Sequence, residues 1–279
     1  MDSLAPTSAT AKTASLGRRY GGAQPAAGPW NEVIASLLEH RSVRAYRPDA
    51  LPTGTLETLI AAASSAATSS NMQWWSAIAV TDAAVKKELA SIAGDQKHIE
   101  QCPLFIAWVA DMARNQRISD AEKVTFETMP WVETFMVACI DAALAAQNAV
   151  VAAESLGLGT VYIGAMRNDP ARVAALLGLP SQAVVVFGLC VGYADPAVKA
   201  EVKPRLPQST VLHHGRYGAA GEAADRTAYD AEMSAFSARN EMAATTWTQR
   251  VINRLGPIKS MNGRERLRGI LNRMGFELR

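Results

Sequence analysis

The stretch VETFMVACIDAALAAQNAVVAAESLGLGTVYIG, Val132 to Gly164, sets the architecture of this chain. Val132 to Leu156 is apolar at most positions and far too long for a strand, so it reads as a long central helix. Gly157 and Gly159 close it, and Thr160 to Gly164 returns as an extended segment. Glu133, Asp141, Gln147, Asn148 and Glu154 interrupt the apolar run, which argues for a buried helix of a soluble protein and against a membrane span. On its N-terminal side, Ser76–Thr81 and Leu104–Ala110 are short β-rich runs separated by a helix over Ala83–Ala93 that Gly94 ends. On its C-terminal side, Asp169-Pro170 gives a helix start with an N-cap and a first-turn proline, and Gly178 and Pro180 stop it. Val184–Val191 is a continuous apolar, β-branched run, the pattern of a strand buried on both faces. Strands interleaved with helices, and too few for a doubly wound sheet, predict an α+β domain around one central sheet.

Nearer the N-terminus, Trp30–Glu39 carries Ile34, Leu37 and Leu38 at helical spacing. After Pro48 and Pro52, Thr55–Ala67 reads as a helix of small residues ending in the polar turn Thr68-Ser69-Ser70-Asn71. Residues 1–28 are rich in Ala, Ser, Thr, Gly and Pro and are expected to form a flexible arm. Lys12, Arg18 and Arg19 leave a transit peptide as the alternative, against which Asp2 and the weak amphipathic pattern count. Residues 29–215 form the predicted main domain and residues 216–279 a helical C-terminal arm. Arg250 to Arg279 holds eight Lys or Arg against two Glu, read as a solvated helical face because no aromatic stacking platform is interleaved. An arm with no core of its own is expected to pack on a partner subunit, which predicts a homodimer.

With 279 residues, 49% of them hydrophobic, the chain can bury a sizeable core. The formal net charge of +2 is too small to make nucleic acid or an anionic membrane the main partner. Cys102, Cys139 and Cys190 are widely spaced and lack ligand spacing, so buried free thiols are expected and no metal site. Without a targeting or spanning segment, the expected location is the cytoplasm.

The sequence lacks GxGxxG after its first strand, GxxxxGK[ST], GxSxG and HExxH, so phosphate-loop, nucleophile-elbow and zinc-protease chemistry are not signalled. His213-His214 reads as surface loop, and His98 as a helix-end or core histidine. The clearest binding signal is His40-Arg41-Ser42-Val43-Arg44-Ala45-Tyr46 together with Lys203-Pro204-Arg205-Leu206-Pro207. Guanidinium forks and a hydroxyl can converge on phosphate oxygens, so a phosphorylated ligand is expected.

These two segments belong to a longer ordered set. It continues through Ser69-Ser70-Asn71-Met72-Gln73-Trp74-Trp75, Gly94-Asp95-Gln96-Lys97-His98 and Ala146-Gln147-Asn148-Ala149. Ala153-Glu154-Ser155-Leu156-Gly157-Leu158-Gly159, Val161-Tyr162-Ile163-Gly164 and Phe187-Gly188-Leu189-Cys190-Val191-Gly192 complete it. In combination they resemble the nitroreductase family, in its branch of oxygen-insensitive NADPH nitroreductases and NADPH-flavin oxidoreductases. The resemblance implies an α+β homodimer with a central mixed sheet flanked by helices and with FMN at the subunit interface. It implies that His40, Arg41, Ser42, Lys203 and Arg205 hold the FMN phosphate and ribityl chain. Arg44 would lie at the pyrimidine edge, stabilising reduced flavin, with Gln96, Gln73 and the turn of Thr68, Ser69 and Asn71 completing the ring contacts. Tyr162, Ile163, Gly164 and Ala165 would run along the other edge. The implied activity is NAD(P)H oxidation coupled by ping-pong hydride transfer to a small-molecule acceptor: a nitroaromatic, a quinone or free flavin. A flavin carrier or sensor with little turnover is the alternative. Where NADPH-specific relatives carry paired arginines, this chain has Arg239-Asn240-Glu241, which argues against strict NADPH preference and leaves NADH, both nucleotides or an unusual donor as the alternatives. Trp74-Trp75 is a second departure, explained equally by a narrowed acceptor pocket and by core packing.

Overall fold

The computed structural model describes residues 9–279; residues 1–8 of the expected arm lie outside the described residues. In chain order the helices and strands are α1 (Ala9–Tyr20), α2 (Glu32–Glu39), α3 (Thr55–Ser64), β1 (Trp75–Val80), α4 (Ala83–Ile92), α5 (Lys97–Gln101), β2 (Leu104–Asp111) and α6 (Ala113–Glu122). They continue with α7 (Val132–Ser155), β3 (Gly159–Ile163), α8 (Pro170–Leu177), β4 (Ala183–Gly192), α9 (Gln208–Val211), α10 (Glu222–Arg239), α11 (Trp247–Leu255) and α12 (Leu267–Arg273). They divide into two units, each built from two separated stretches: Met1–Arg41 with Ala197–Ser260, and Ser42–Pro196 with Met261–Arg279. Residues 9–41 thus group with 197–260, and residues 261–279 of the expected arm with the larger unit.

The larger unit is organised by one sheet, in the order β1-β2-β4-β3, antiparallel throughout. Parallel pairing is confined to a single bridge between Ser42 and Thr160, the only trace of the expected mixed character among the described residues. β2 is buried along its whole length. Its alternate side chains serve two different cores, as the two-residue period of a strand requires. Leu104, Ile106 and Trp108 join Leu59 and Ala63 of α3 and Ala145, Ala146, Ala149 and Ala153 of α7. Phe105, Ala107 and Val109 face Leu89 of α4, Ile99 of α5 and Val173 of α8. The alanines let α7 lie close on β2 and α3, so the helix expected at the centre of the fold is there.

The last residues of the expected arm pack into the larger unit. Leu271 and Phe276 are buried with Met112, Met129, Ala138 and Val184, and Phe276 meets Phe135 edge-on at 5.1 Å. Main-chain bonds fix this return: the Val132 N–H donates to the Arg279 carbonyl at 3.2 Å and the Gln182 N–H to that of Met274 at 2.8 Å. Arg266, Arg268, Arg273 and Arg279 remain exposed, as a solvated face requires, whereas Arg264 is half-buried and donates to Asn168 Oδ1 at 2.9 Å.

The smaller unit has a core of its own, which corrects the expectation that the arm has none. Tyr229, Met233 and Phe236 of α10 pack with Leu206 and with Trp247 of α11. The described part of the expected flexible arm is likewise ordered. Helix α1 buries Ser15, Leu16 and Arg19. Ser15 Oγ donates to Glu39 Oε1 at 2.9 Å, and Arg18 pairs with the same carboxylate. The three cysteines are free, with Cys102 and Cys190 buried, and burial pushes the Cys139 thiol up to about 11.

Candidate functional site

Each unit presents its own share of the residues singled out in the sequence. In the larger unit, Ser42 to Tyr46 runs as an extended strip beside β3, with the Val43 N–H donating to the Thr160 carbonyl at 2.9 Å. Val43 and Tyr46 turn inward while Ser42 and Arg44 remain exposed. Tyr46 Oη donates to the Val43 carbonyl at 2.8 Å, and burial raises its pKa. The strip sits this close because residue 159 is glycine: a Cβ there would lie 2.6 Å from Val43 Cγ2. The Gly159 of the opening sequence stretch therefore does more than close a helix.

The Thr68–Gln73 turn is held in an unusual conformation. Ser70, Asn71 and Gln73 have φ of 50°, 55° and 51°, a left-handed region that non-glycine residues seldom occupy. The support is Asp141, 2% exposed in the middle of α7. Its carboxylate accepts from the Thr68 hydroxyl and, at 3.2 Å each, from the N–H groups of Ser69 and Trp74. Thr68 Oγ1 in turn accepts from the Gln73 N–H at 2.9 Å. The Thr68 hydroxyl is thereby committed to the turn itself, whereas Ser69, Ser70, Asn71 and Gln73 stand exposed. Arg114 of α6 adds a bond from Nη1 to the Gln73 carbonyl at 2.9 Å. Sequence reasoning used Asp141 only as an obstacle to membrane insertion. A carboxylate in the middle of an apolar helix, two turns from any other charge, is the signal that it anchors something polar.

Gln96 caps the end of α4, Nε2 donating to the Ala93 carbonyl at 2.9 Å. Two residues on, His98 is half-buried and its Nε2 has no hydrogen-bond partner among the described residues. Burial, with the nearby Arg44 charge second, lowers its pKa. Along β3 and beyond, the side chains of Ile163 and Ala165 are in the core, so they offer a ligand only main chain. Tyr162 is exposed and meets Phe187 edge-on at 5.1 Å, and Gly164 is half-buried. Trp75 packs 5.5 Å from Trp108 and Trp74 joins the cluster around Met112 and Val184, so both tryptophans are explained by the core.

In the smaller unit, His40 caps the C-terminal end of α2 and Arg41 is exposed beside it. The Lys203–Arg205 segment is joined to the end of α2 by one buried side chain. Arg19 Nη1 donates to the Lys203 carbonyl at 2.8 Å, and Nη2 to those of Leu38 at 2.6 Å and His40 at 2.8 Å. Lys203 Nζ lies 5.9 Å from the centre of the Phe236 ring, and the Arg205 guanidinium is exposed. Arg239, at the end of α10, lies 3.9 Å from Glu201, which also pairs with Lys199 at 2.9 Å and accepts from Asn240 at 2.9 Å. Hydrogen bonds from Lys199 and Asn240 lower the Glu201 pKa. The carboxylate beside Arg239 is thus Glu201, which its distance in sequence concealed, and not only the adjacent Glu241.

The donor set fits FMN in kind. Arg41, Arg205 and Ser42 supply charge and hydroxyl donors for a phosphate, Arg44 supplies a cation, and Asn71, Gln73 and Gln96 supply amides able to meet a ring with alternating donors and acceptors.

Comparison with known proteins agrees. Residues 37–193 match the nitroreductase family and residues 203–279 match its C-terminal domain. The chain is 36% identical to the NADPH-flavin oxidoreductase of Vibrio harveyi over 81% of its length and 91% of the relative's. It is 37% identical to an FMN reductase (NADPH) of Bacillus subtilis over 80% of its length and 91% of that relative's. Among solved structures, it is similar to nitroreductase A from Vibrio parahaemolyticus, with a TM-score of 0.81, 33% identity and coverage of 90% of this chain and 100% of that one. It is also similar to the NADPH:FMN oxidoreductase from Vibrio harveyi complexed with NAD+, with a TM-score of 0.79, 34% identity and coverage of 89% and 100%. With both family segments matched in order and the α+β architecture shared, this chain belongs to the nitroreductase family.

Proposed function

We propose that this protein is an FMN-dependent NAD(P)H oxidoreductase that reduces nitroaromatics, quinones or free flavin by ping-pong hydride transfer. The observation that carries the reading is the pairing, within the smaller unit, of the His40-Arg41 and Lys203-Arg205 segments across a single guanidinium. Two segments so far apart in sequence, each carrying basic side chains, are tied together through their main chain, and a phosphate monoester is a shared partner for those side chains. The names of the relatives, flavin and FMN reductases and an oxygen-insensitive NADPH nitroreductase, support the same conclusion.

FMN, when bound, supplies the ring that takes hydride from the nicotinamide donor and hands it to the acceptor. His40, Arg41, Ser42, Lys203 and Arg205 hold its phosphate and ribityl chain. Arg44 sets a fixed positive charge at the pyrimidine edge, where reduction builds up negative charge. Ser69, Asn71, Gln73 and Gln96 orient the ring, with the main chain of Tyr162 to Ala165 along the other edge. Thr68 acts one step back, as part of the turn's support. No side-chain acid or base is required, because catalysis rests on positioning and preorganised charge.

Arg239 is the candidate for the extra phosphate of NADPH, and the carboxylate of Glu201 beside it weakens that role. Use of both NADH and NADPH follows from this balance. The acting form is a cytoplasmic homodimer. Its support is a stripe of exposed apolar residues at four-residue spacing on α7, Val132, Met136, Ile140 and Leu144, which one face of a soluble helix does not ordinarily leave in water.

Purified protein is expected to be yellow and to bleach anaerobically on addition of NADH or NADPH. Protein loaded with FMN that stays oxidised with both donors would sink the reductase reading and leave the flavin carrier or sensor. Arg44→Ala is expected to lower the midpoint potential of bound flavin, and Lys203→Ala chiefly to weaken FMN retention. Equal effects of the two on both quantities would remove the assigned division of roles.

A further inference from the structure

We propose that Arg19 of α1 is a positioning residue that converts the C-terminal end of α2 into a place where a phosphate can be bound; the proposal rests on the phosphate reading of His40, Arg41, Lys203 and Arg205 given above. His40 and Arg41 directly follow α2, at the end of a helix where unpaired carbonyl groups concentrate partial negative charge. Left alone, that end repels an anion. Arg19 answers this in two ways. Its Nη2 donates to the carbonyls of Leu38 and His40, covering two of the oxygens that would face the phosphate, and brings a full positive charge to the helix end. Its Nη1 reaches the Lys203 carbonyl at 2.8 Å, and its own carbonyl accepts from the Arg205 N–H at 2.8 Å, so the second cationic segment is tied to the first from both sides.

The guanidinium is suited to the task, because a planar fork serves three carbonyls at once where an ammonium is a point charge. It is 4% exposed, so its bonds are shielded from competing water. Ser15 and Arg18 of the same helix hold Glu39, the last residue of α2, which fixes α1 against the helix whose end it covers. Arg19 lies outside the family-matched residues, which begin at 37. The device therefore belongs to the N-terminal segment of this chain.

The test compares FMN with riboflavin, which shares the ring and ribityl chain and lacks the phosphate. Affinities of the apoprotein for both are measured by fluorescence quenching in the full-length wild type, Arg19→Met and Arg205→Ala. Arg19→Lys carries the same comparison should Arg19→Met not fold, since it keeps stem and charge and loses the fork. Loss of a buried, charge-assisted bond network is expected to weaken FMN binding by about tenfold or more. Riboflavin binding is expected to change less than about threefold, because the ring contacts lie elsewhere. An Arg19 variant that weakens both ligands equally, or neither, while Arg205→Ala selectively weakens FMN, overturns the positioning role and leaves the phosphate reading standing. If Arg205→Ala also fails to separate FMN from riboflavin, the phosphate reading itself is wrong, and the role of Arg19 falls with it.

Discussion

At the scale of single residues, the site is shaped by groups that support others. Asp141 collects three donors from one turn, and the three left-handed residues beside it persist because that carboxylate over-determines their backbone. Asp141→Ala leaves two part-buried N–H groups and the Thr68 hydroxyl without their acceptor and is expected to cost about 2–4 kcal/mol in urea unfolding, given about 1.5–3 kcal/mol for a bond to a charged group. Asp141→Asn keeps one acceptor oxygen and is expected to cost less, with FMN affinity falling in the same order. A neutral effect of Asp141→Ala on both stability and flavin binding would contradict the anchoring role. His98 sets a pH dependence. Its folded pKa lies below the ordinary 6.5, so beneath that pH the unfolded chain takes up a proton that the folded one resists, and stability falls as the pH drops. His98→Gln should flatten this part of the profile, as urea midpoints at pH 7.5 and 5.5 would reveal. At the donor end, Glu201→Gln is expected to raise kcat/KM for NADPH several-fold relative to NADH; an unchanged ratio would detach Arg239 from nucleotide choice.

At the scale of elements, the contact between β3 and the Ser42–Tyr46 strip depends on a missing side chain. Gly159→Ala forces a Cβ within 2.6 Å of Val43 Cγ2 and is expected to destabilise by about 1–3 kcal/mol. Adding Val43→Ala should recover part of that loss, and a double-mutant cycle with no coupling would deny the contact. Helix α7 divides its work between faces. Its buried alanines and Asp141 serve the sheet and the turn, and its exposed stripe is the proposed dimer surface. Met136→Glu combined with Ile140→Glu is therefore expected to give monomers in sedimentation velocity without unfolding the sheet, and dimers that survive both charges would move the interface elsewhere.

At the scale of the whole molecule, the two ends of the chain behave differently from their composition. Phe276→Ala is expected to cost about 3–5 kcal/mol, the usual range for a buried phenylalanine. The loss should be independent of protein concentration, since Phe276 packs within its own chain; a concentration-dependent loss would favour docking on a partner. The sequence by itself determined the elements that local rules control. The central helix follows from an apolar run too long for a strand, the Asp169-Pro170 start and Gly178 stop from capping chemistry, and β2 and β4 from uninterrupted apolar runs. Ordered motifs also carried the family and its cofactor, because a ligand is gripped by short segments whose residue types survive as a pattern. The sequence did not determine the pairings that join distant stretches: Asp141 with the Thr68 turn, Glu201 with Arg239, Arg19 with His40 and Lys203, and Phe276 with the core. Each depends on a partner tens or hundreds of residues away, buried in every case but that of Glu201 and Arg239, and such proximity exists only after the chain has folded. A charged residue in an alanine-rich arm and one in an apolar helix look alike on paper as exceptions; only tertiary packing shows which polar groups they were placed to satisfy.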